Sequence, residues 1–313
     1  MYPVFQGKAQ AGLFDETSRH GRFLEFKLKP NTDVLAIKQA LEILTDDIAN
    51  IEGLYCQLAF GSSCWDILNP SWRPAELISF SPLKNMGLEM PASQGDILIW
   101  LHSSDAELIP QGLIDIYLRM EGYADLQLDL EGIKNQQSRD LIGFIDGTAN
   151  PKEDKRLEIA LIPEGELGAG GSYVISQRWQ HDLKAFNLLA IHEQEQVVGR
   201  TKENDIELEG DAMAKDSHVS RTDVKVDGMG MKIYRRSSPY MASQLGPESL
   251  PNHGLYFLAF ACEMQRFTVQ LDRMLGLTHD GISDKLMQYS KPQTGSYWFM
   301  PSASDLSLLF KSY

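Results

Sequence analysis

Apolar residues between positions 34 and 51 fall at Val34, Ile37, Leu41, Leu44, Ile48 and Ile51, steps of three and four that share one face of a 3.6-residue helix. Pro30-Asn31-Thr32 breaks the preceding strand and offers a cap, and Gly53 supplies the stop. Such a face must pack on a sheet. Residues 23–29 (FLEFKLK) largely alternate apolar and polar as a half-buried strand does. Residues 54–60, 96–102 and 123–130 read as further strands, and 112–120 as a second helix. The order is strand, helix, strand, strand, helix, strand.

Residues 136–171 then lose periodicity and carry DGTANPKED and the cluster Gly168-Ala169-Gly170-Gly171, so the domain boundary is placed inside this stretch. A second cycle follows: strand 173–180, helix 183–198, strands 231–236 and 255–262, helix 264–275. No residue-level repeat links the halves. The expectation is an α+β protein of two ferredoxin-like domains with antiparallel sheets, residues 1–150 and 151–313.

A length of 313 residues agrees with two units, because single cores stop growing near roughly 250 to 300 residues. The formal net charge of −14 repels phosphate backbones and anionic membrane surfaces, so neither nucleic acid nor membrane is expected as a partner. Cys56, Cys64 and Cys262 form no CxxC pair and read as reduced thiols. The start, MYPVFQGKAQAGLF, has no basic and apolar leader pattern, and the longest apolar run, LYFLAFAC, is far below the ~20 residues of a spanning helix. A cytoplasmic location is expected.

GFIDGTANP, residues 143–151, contains two turn dipeptides, Asp-Gly and Asn-Pro, and reads first as a turn. A functional reading has the turn aim Asp146 at a pocket mouth, where a fixed carboxylate can shuttle protons. None of the seven histidines forms an HxxxH pair, which leaves a multi-histidine zinc site unsupported. His218 has acidic company in DSHVSRTDVKVDG, and a ligating imidazole commonly donates its second N–H to a carboxylate. Arg235 and Arg236 are adjacent on an expected strand, so their side chains point to opposite faces and one can face inward toward an anion. The glycine cluster is followed by a strand, so no helix N-terminus stands there to hold phosphate.

GFIDGTANP resembles the GxxDG signature of the dye-decolorising peroxidases, and the resemblance continues through SHVSRTDVK, KIYRRSSPY and GLYFLAFACEMQRFTVQLDRMLG. It is strongest over residues 141–300 and nearest to the branch without a secretion signal. The resemblance implies a non-covalent haem b peroxidase, with the haem enclosed mainly by the second domain, that uses H2O2 to oxidise dyes, phenols or porphyrin-like reductants through an oxoferryl intermediate. The alternative it leaves is a haem-handling protein with incidental turnover. It implies Asp146 as the distal acid, Arg235 as the distal arginine and His218 as the iron ligand, with Gly147 and Thr148 beside the haem. Ser237 stands where many relatives have asparagine, so altered distal hydrogen bonding is expected. The acid that orients His218 stays open among Asp223, Asp227 and Asp272. Tyr256, Tyr297 and Trp298 are candidate electron relays, although strand aromatics are ordinarily core. Exposed sheet edges imply a homodimer or higher homo-oligomer.

Overall fold

The computed structural model describes residues 8–242 and 252–311. Residues 1–7 of the segment read against a leader, and the last two residues of the chain, lie outside the described residues. In the first half, strand β1 (His20–Leu28) leads to α1 (Val34–Ala49), β2 (Leu54–Phe60), β3 (Ile97–Ser103), α2 (Ile109–Met120) and β4 (Ala124–Ile133). Asp33 caps α1 by accepting from the Leu35 and Ala36 amides, which otherwise lack partners in the first turn. The second half runs β5 (Ser172–His181), α3 (Leu183–Asn187), α4 (Ile191–Val198), α5 (His218–Thr222), β6 (Tyr234–Arg235), β7 (Ser238–Ala242), β8 (Asn252–Ala261), α6 (Gln265–Met274), β9 (Ser296–Met300) and α7 (Ala303–Lys311).

Each half has the ferredoxin-like order, first strand in the middle and every pairing antiparallel: β4-β1-β3-β2 in one, β9-β5-β8 followed by β6 and β7 in the other. The halves join edge to edge where Phe299 of β9 faces Phe60 of β2. The far edges also meet, since a Cβ on Gly132 of β4 would lie 2.6 Å from the Ser238 Cβ of β7. The two ends of the sheet therefore cover one another.

Strand alternation assigns the two faces. Phe23, Trp100, Val174, Tyr256, Leu258 and Trp298 share one buried cluster, while Leu24, Phe26, Leu58 and Ile99 pack with Ile37, Leu41, Leu44 and Ile48 of α1. The helix expected over 183–198 is two helices, because Ala190 is extended and the Glu193 carboxylate accepts its amide, starting α4 afresh. Leu188, apolar and so part of the expected pattern, is 81% exposed at that break. The strand expected over 231–236 pairs only at Tyr234–Arg235; Met231 instead donates its amide to the Val224 carbonyl below a small hairpin. The segment 136–171 also holds a short helix, Lys155–Ala160.

Candidate active site

The outward-facing residues of β5, namely Ile175, Gln177, Trp179 and His181, form one wall of a cavity of about 840 Å³. Leu255 and Phe257 of β8 extend that wall, and Phe267, Leu271 and Met274 of α6 close it from the other side. A second space of about 1000 Å³ adjoins it and shares Asp146, His218, Thr222 and Arg235. A concave, mostly apolar lining with a few convergent polar groups suits an organic ligand.

The hairpin-like loop 138–150 brings Asp146 to this cavity. The Arg139–Ile145 bridge, the Asp146 amide on the Ser138 carbonyl and the Asp140 amide on the Phe144 carbonyl close it. Gly147 follows at φ +99, a left-handed conformation that a side chain would strain, so the Asp-Gly pair is indeed a turn. The Asp146 carboxylate lies 3.5 Å from the Arg235 guanidinium, both side chains about one-quarter exposed. Thr148 donates to Asp205, which also holds Arg200. Asn150, expected only as part of a turn, receives the Arg235 amide at 3.0 Å and donates to the Arg235 carbonyl at 2.8 Å.

The alternation expected of the paired arginines holds. Arg235 faces the cavity, while Arg236 is buried on the other side, donating to the Leu13 and Asp15 carbonyls and lying 4.8 Å from the centre of the Trp100 ring. Ser237 is 1% exposed and outside the cavity lining; its hydroxyl accepts from the Leu258 amide at 3.4 Å, so it takes no part in the cavity's hydrogen bonding.

His218 begins α5, which Ser217 caps by accepting from the Ser220 amide. Its Nδ1 lies 2.6 Å from Oδ2 of Asp284, a fully buried carboxylate whose other oxygen accepts from the Leu286 amide. None of the three acids weighed from the sequence fills this place. Asp223 pairs with Lys232, Asp227 sits at φ +49 in the turn of the 225–230 hairpin, and Asp272, whose carboxyl burial pushes up, makes no hydrogen bond to His218 among the described residues. Because a carboxylate only accepts, the Nδ1 proton belongs to this bond and the Nε2 lone pair is left for the cavity.

His181 lines the same cavity but is fully engaged, with Nδ1 2.8 Å from the Ser290 hydroxyl and Nε2 3.1 Å from Asp140. Among the described histidines of the wall, only His218 has a nitrogen to offer. The nearby Gln177 is 1% exposed and its amide nitrogen is buried without a partner. A single open imidazole in an apolar slot beside an acid–arginine pair is a donor set that fits haem. Tyr256, Tyr297 and Trp298 are at most 4% exposed, and the first and last meet a buried polar cluster: Tyr256 donates to Glu25, and Trp298 to Ser176, which donates to Glu25.

Residues 10–134 match the family described as Dyp-type peroxidase, N-terminal, and residues 137–305 match Dyp-type peroxidase, C-terminal. The chain belongs to the Dyp-type, or dye-decolorising, peroxidase family. A dye-decolorizing peroxidase of Mycolicibacterium paratuberculosis is 32% identical over 79% of this chain and 69% of its own length. A putative Dyp-type peroxidase from Shewanella oneidensis has a similar structure, with TM-score 0.87, 29% identity and coverage of 98% of this chain and 99% of that one. A variant of Rhodococcus jostii DypB in complex with heme gives TM-score 0.83 at 29% identity over 93% of this chain and 96% of that one. No helix among the described residues is long and apolar enough to cross a membrane.

Proposed function

We propose that this peroxidase binds haem b non-covalently in the cavity between β5, β8 and α6, through His218, and uses H2O2 to oxidise dyes, phenols or porphyrin-like reductants. The observation that carries this reading is the convergence of Asp146, Arg235 and His218 on one apolar cavity. Haem, when bound, supplies the redox-active iron at which peroxide reacts.

The chain's own residues supply the rest. Asp284 holds the His218 ring and fixes the proton on Nδ1, keeping Nε2 open as a ligand. Asp146 takes the proton from one peroxide oxygen and returns it to the other. Arg235, 3.5 Å away, stabilises the negative charge that develops as the O–O bond breaks. Gly147 gives the loop its turn at Asp146, and Thr148 ties the loop to Asp205.

Titration of the purified protein with haem, followed by rapid mixing with H2O2, tests this. A Soret band that saturates at one haem per chain and shifts on mixing is the expected result. Absence of a Soret band after haem addition overturns the assignment.

A further inference from the structure

Besides the Asp146–Arg235 pair itself, the loop that carries Asp146 and the strand that carries Arg235 are joined at the side chain of Asn150. Asn150 Oδ1 accepts from the Arg235 amide at 3.0 Å, and Asn150 Nδ2 donates to the Arg235 carbonyl at 2.8 Å. Both backbone groups of Arg235 are thus bound by an amide that imitates a neighbouring strand. The reverse orientation of that amide would set donor against donor, so its direction is fixed. Asn150 is in turn held to the Asp-Gly turn, since its amide donates to the Gly147 carbonyl at 2.9 Å. One residue therefore touches the turn after Asp146 and the backbone of Arg235.

We propose that Asn150 is a positioning residue that sets the approach of Asp146 to Arg235, and with it the rate at which the protein reacts with H2O2. This rests on the roles given above to Asp146 and Arg235. Two groups that must act on one small molecule gain from a fixed separation, and a misplacement of about 1 Å can cost on the order of 100-fold in rate.

The other anchors of the loop do not replace this one. Arg139 donates to the Gly143, Lys202 and Glu203 carbonyls, Asp140 pairs with His181, and Thr148 binds Asp205. These tie the loop to β5 and to the segment after α4. None reaches β6. Removing the Asn150 amide should therefore leave the loop folded and the haem bound while freeing the Asp146–Arg235 spacing.

The test uses the haem-loaded protein with Asn150→Ala, and Asn150→Asp as a variant that keeps the acceptor for the Arg235 amide but loses the donor. Both should keep the thermal midpoint and Soret band nearly unchanged and react with H2O2 about 10- to 100-fold more slowly, the alanine variant more so. In the haem-free protein, deuterium exchange of the peptide containing Arg235 should be faster in Asn150→Ala. The deciding comparison is with Asp146→Asn, Arg235→Leu and the double variant Asn150→Ala/Asp146→Asn. If Asn150 acts through the pair, the double variant is no slower than Asp146→Asn alone. Multiplying losses in the double variant, or a wild-type rate in both Asn150 variants, would overturn the proposal. A wild-type rate in both Asp146→Asn and Arg235→Leu would instead overturn the site reading on which it rests.

Discussion

His218 Nδ1 and Asp284 Oδ2 lie 2.6 Å apart across 66 positions of sequence. Loss of the imidazole in His218→Ala should abolish most haem ligation. Asp284→Asn should keep ligation but lower haem affinity by roughly 10- to 100-fold, the usual cost of removing a carboxylate behind a ligating histidine. Haem titration followed at the Soret band separates the two. The exposed His192 is the appropriate control, because His181 belongs to the cavity wall.

Asp146→Asn keeps the shape of the side chain and removes its basicity, while Arg235→Leu removes the cation. Each should slow the first spectral change after mixing with H2O2 by roughly 10²- to 10⁴-fold, with folding intact. The larger loss identifies the principal contributor. Stopped-flow absorbance gives both numbers, and wild-type rates in the pair of variants would remove Asp146 and Arg235 from the reaction.

Glu25 lies between the halves, fully buried, and burial pushes its carboxyl above the ordinary value of 4.5 despite hydrogen bonds from Tyr256 and Ser176 and the nearby charge of Arg178. A raised folded-state value means the native chain keeps a proton that the unfolded chain has released. From pH 4.5 up to the folded value, the unfolded state therefore binds fewer protons and stability falls as pH rises, by at most about 1.4 kcal/mol per pH unit. Glu25→Gln should flatten that slope and gain on the parent toward neutral pH. Urea unfolding at several pH values checks this; parallel pH profiles would show that Glu25 does not titrate as described.

Gly254 of β8 pairs with Gln180 of β5, and a Cβ there would stand 1.8 Å from the Trp179 carbonyl oxygen. Backbone cannot step aside cheaply inside a paired ladder. Gly254→Ala should lower stability by about 3 kcal/mol, at the upper end of overpacking effects, read from the urea midpoint.

The local part of this molecule was legible in its sequence, and the part made by distant contacts was not. The apolar steps from Val34 to Ile51 gave α1, alternation gave β1 and β5, and the apolar run LYFLAFAC gave β8, because those signals come from neighbours a few positions apart. Arg235 and Arg236 separated as strand geometry requires. Asp284 escaped because nothing near ISDK marks it as the partner of a histidine so far upstream. Asn150 was read only as half of an Asn-Pro turn, although its side chain binds Arg235. The break at Leu188 was hidden by leucines that suit a helix and here face solvent or end one.

The pairing of Phe299 with Phe60 also has a bearing on synthesis. The outer edge of β2 is made early, but β9, which covers it, follows both cycles of strands and helices. On the ribosome the first half can form its helices and its three internal strand pairings while β2 stays unpaired on that side. Such an edge invites another nascent chain. Closure of the sheet is therefore a late event in the life of each molecule, and chains truncated before Ser296 should be the ones that associate and precipitate.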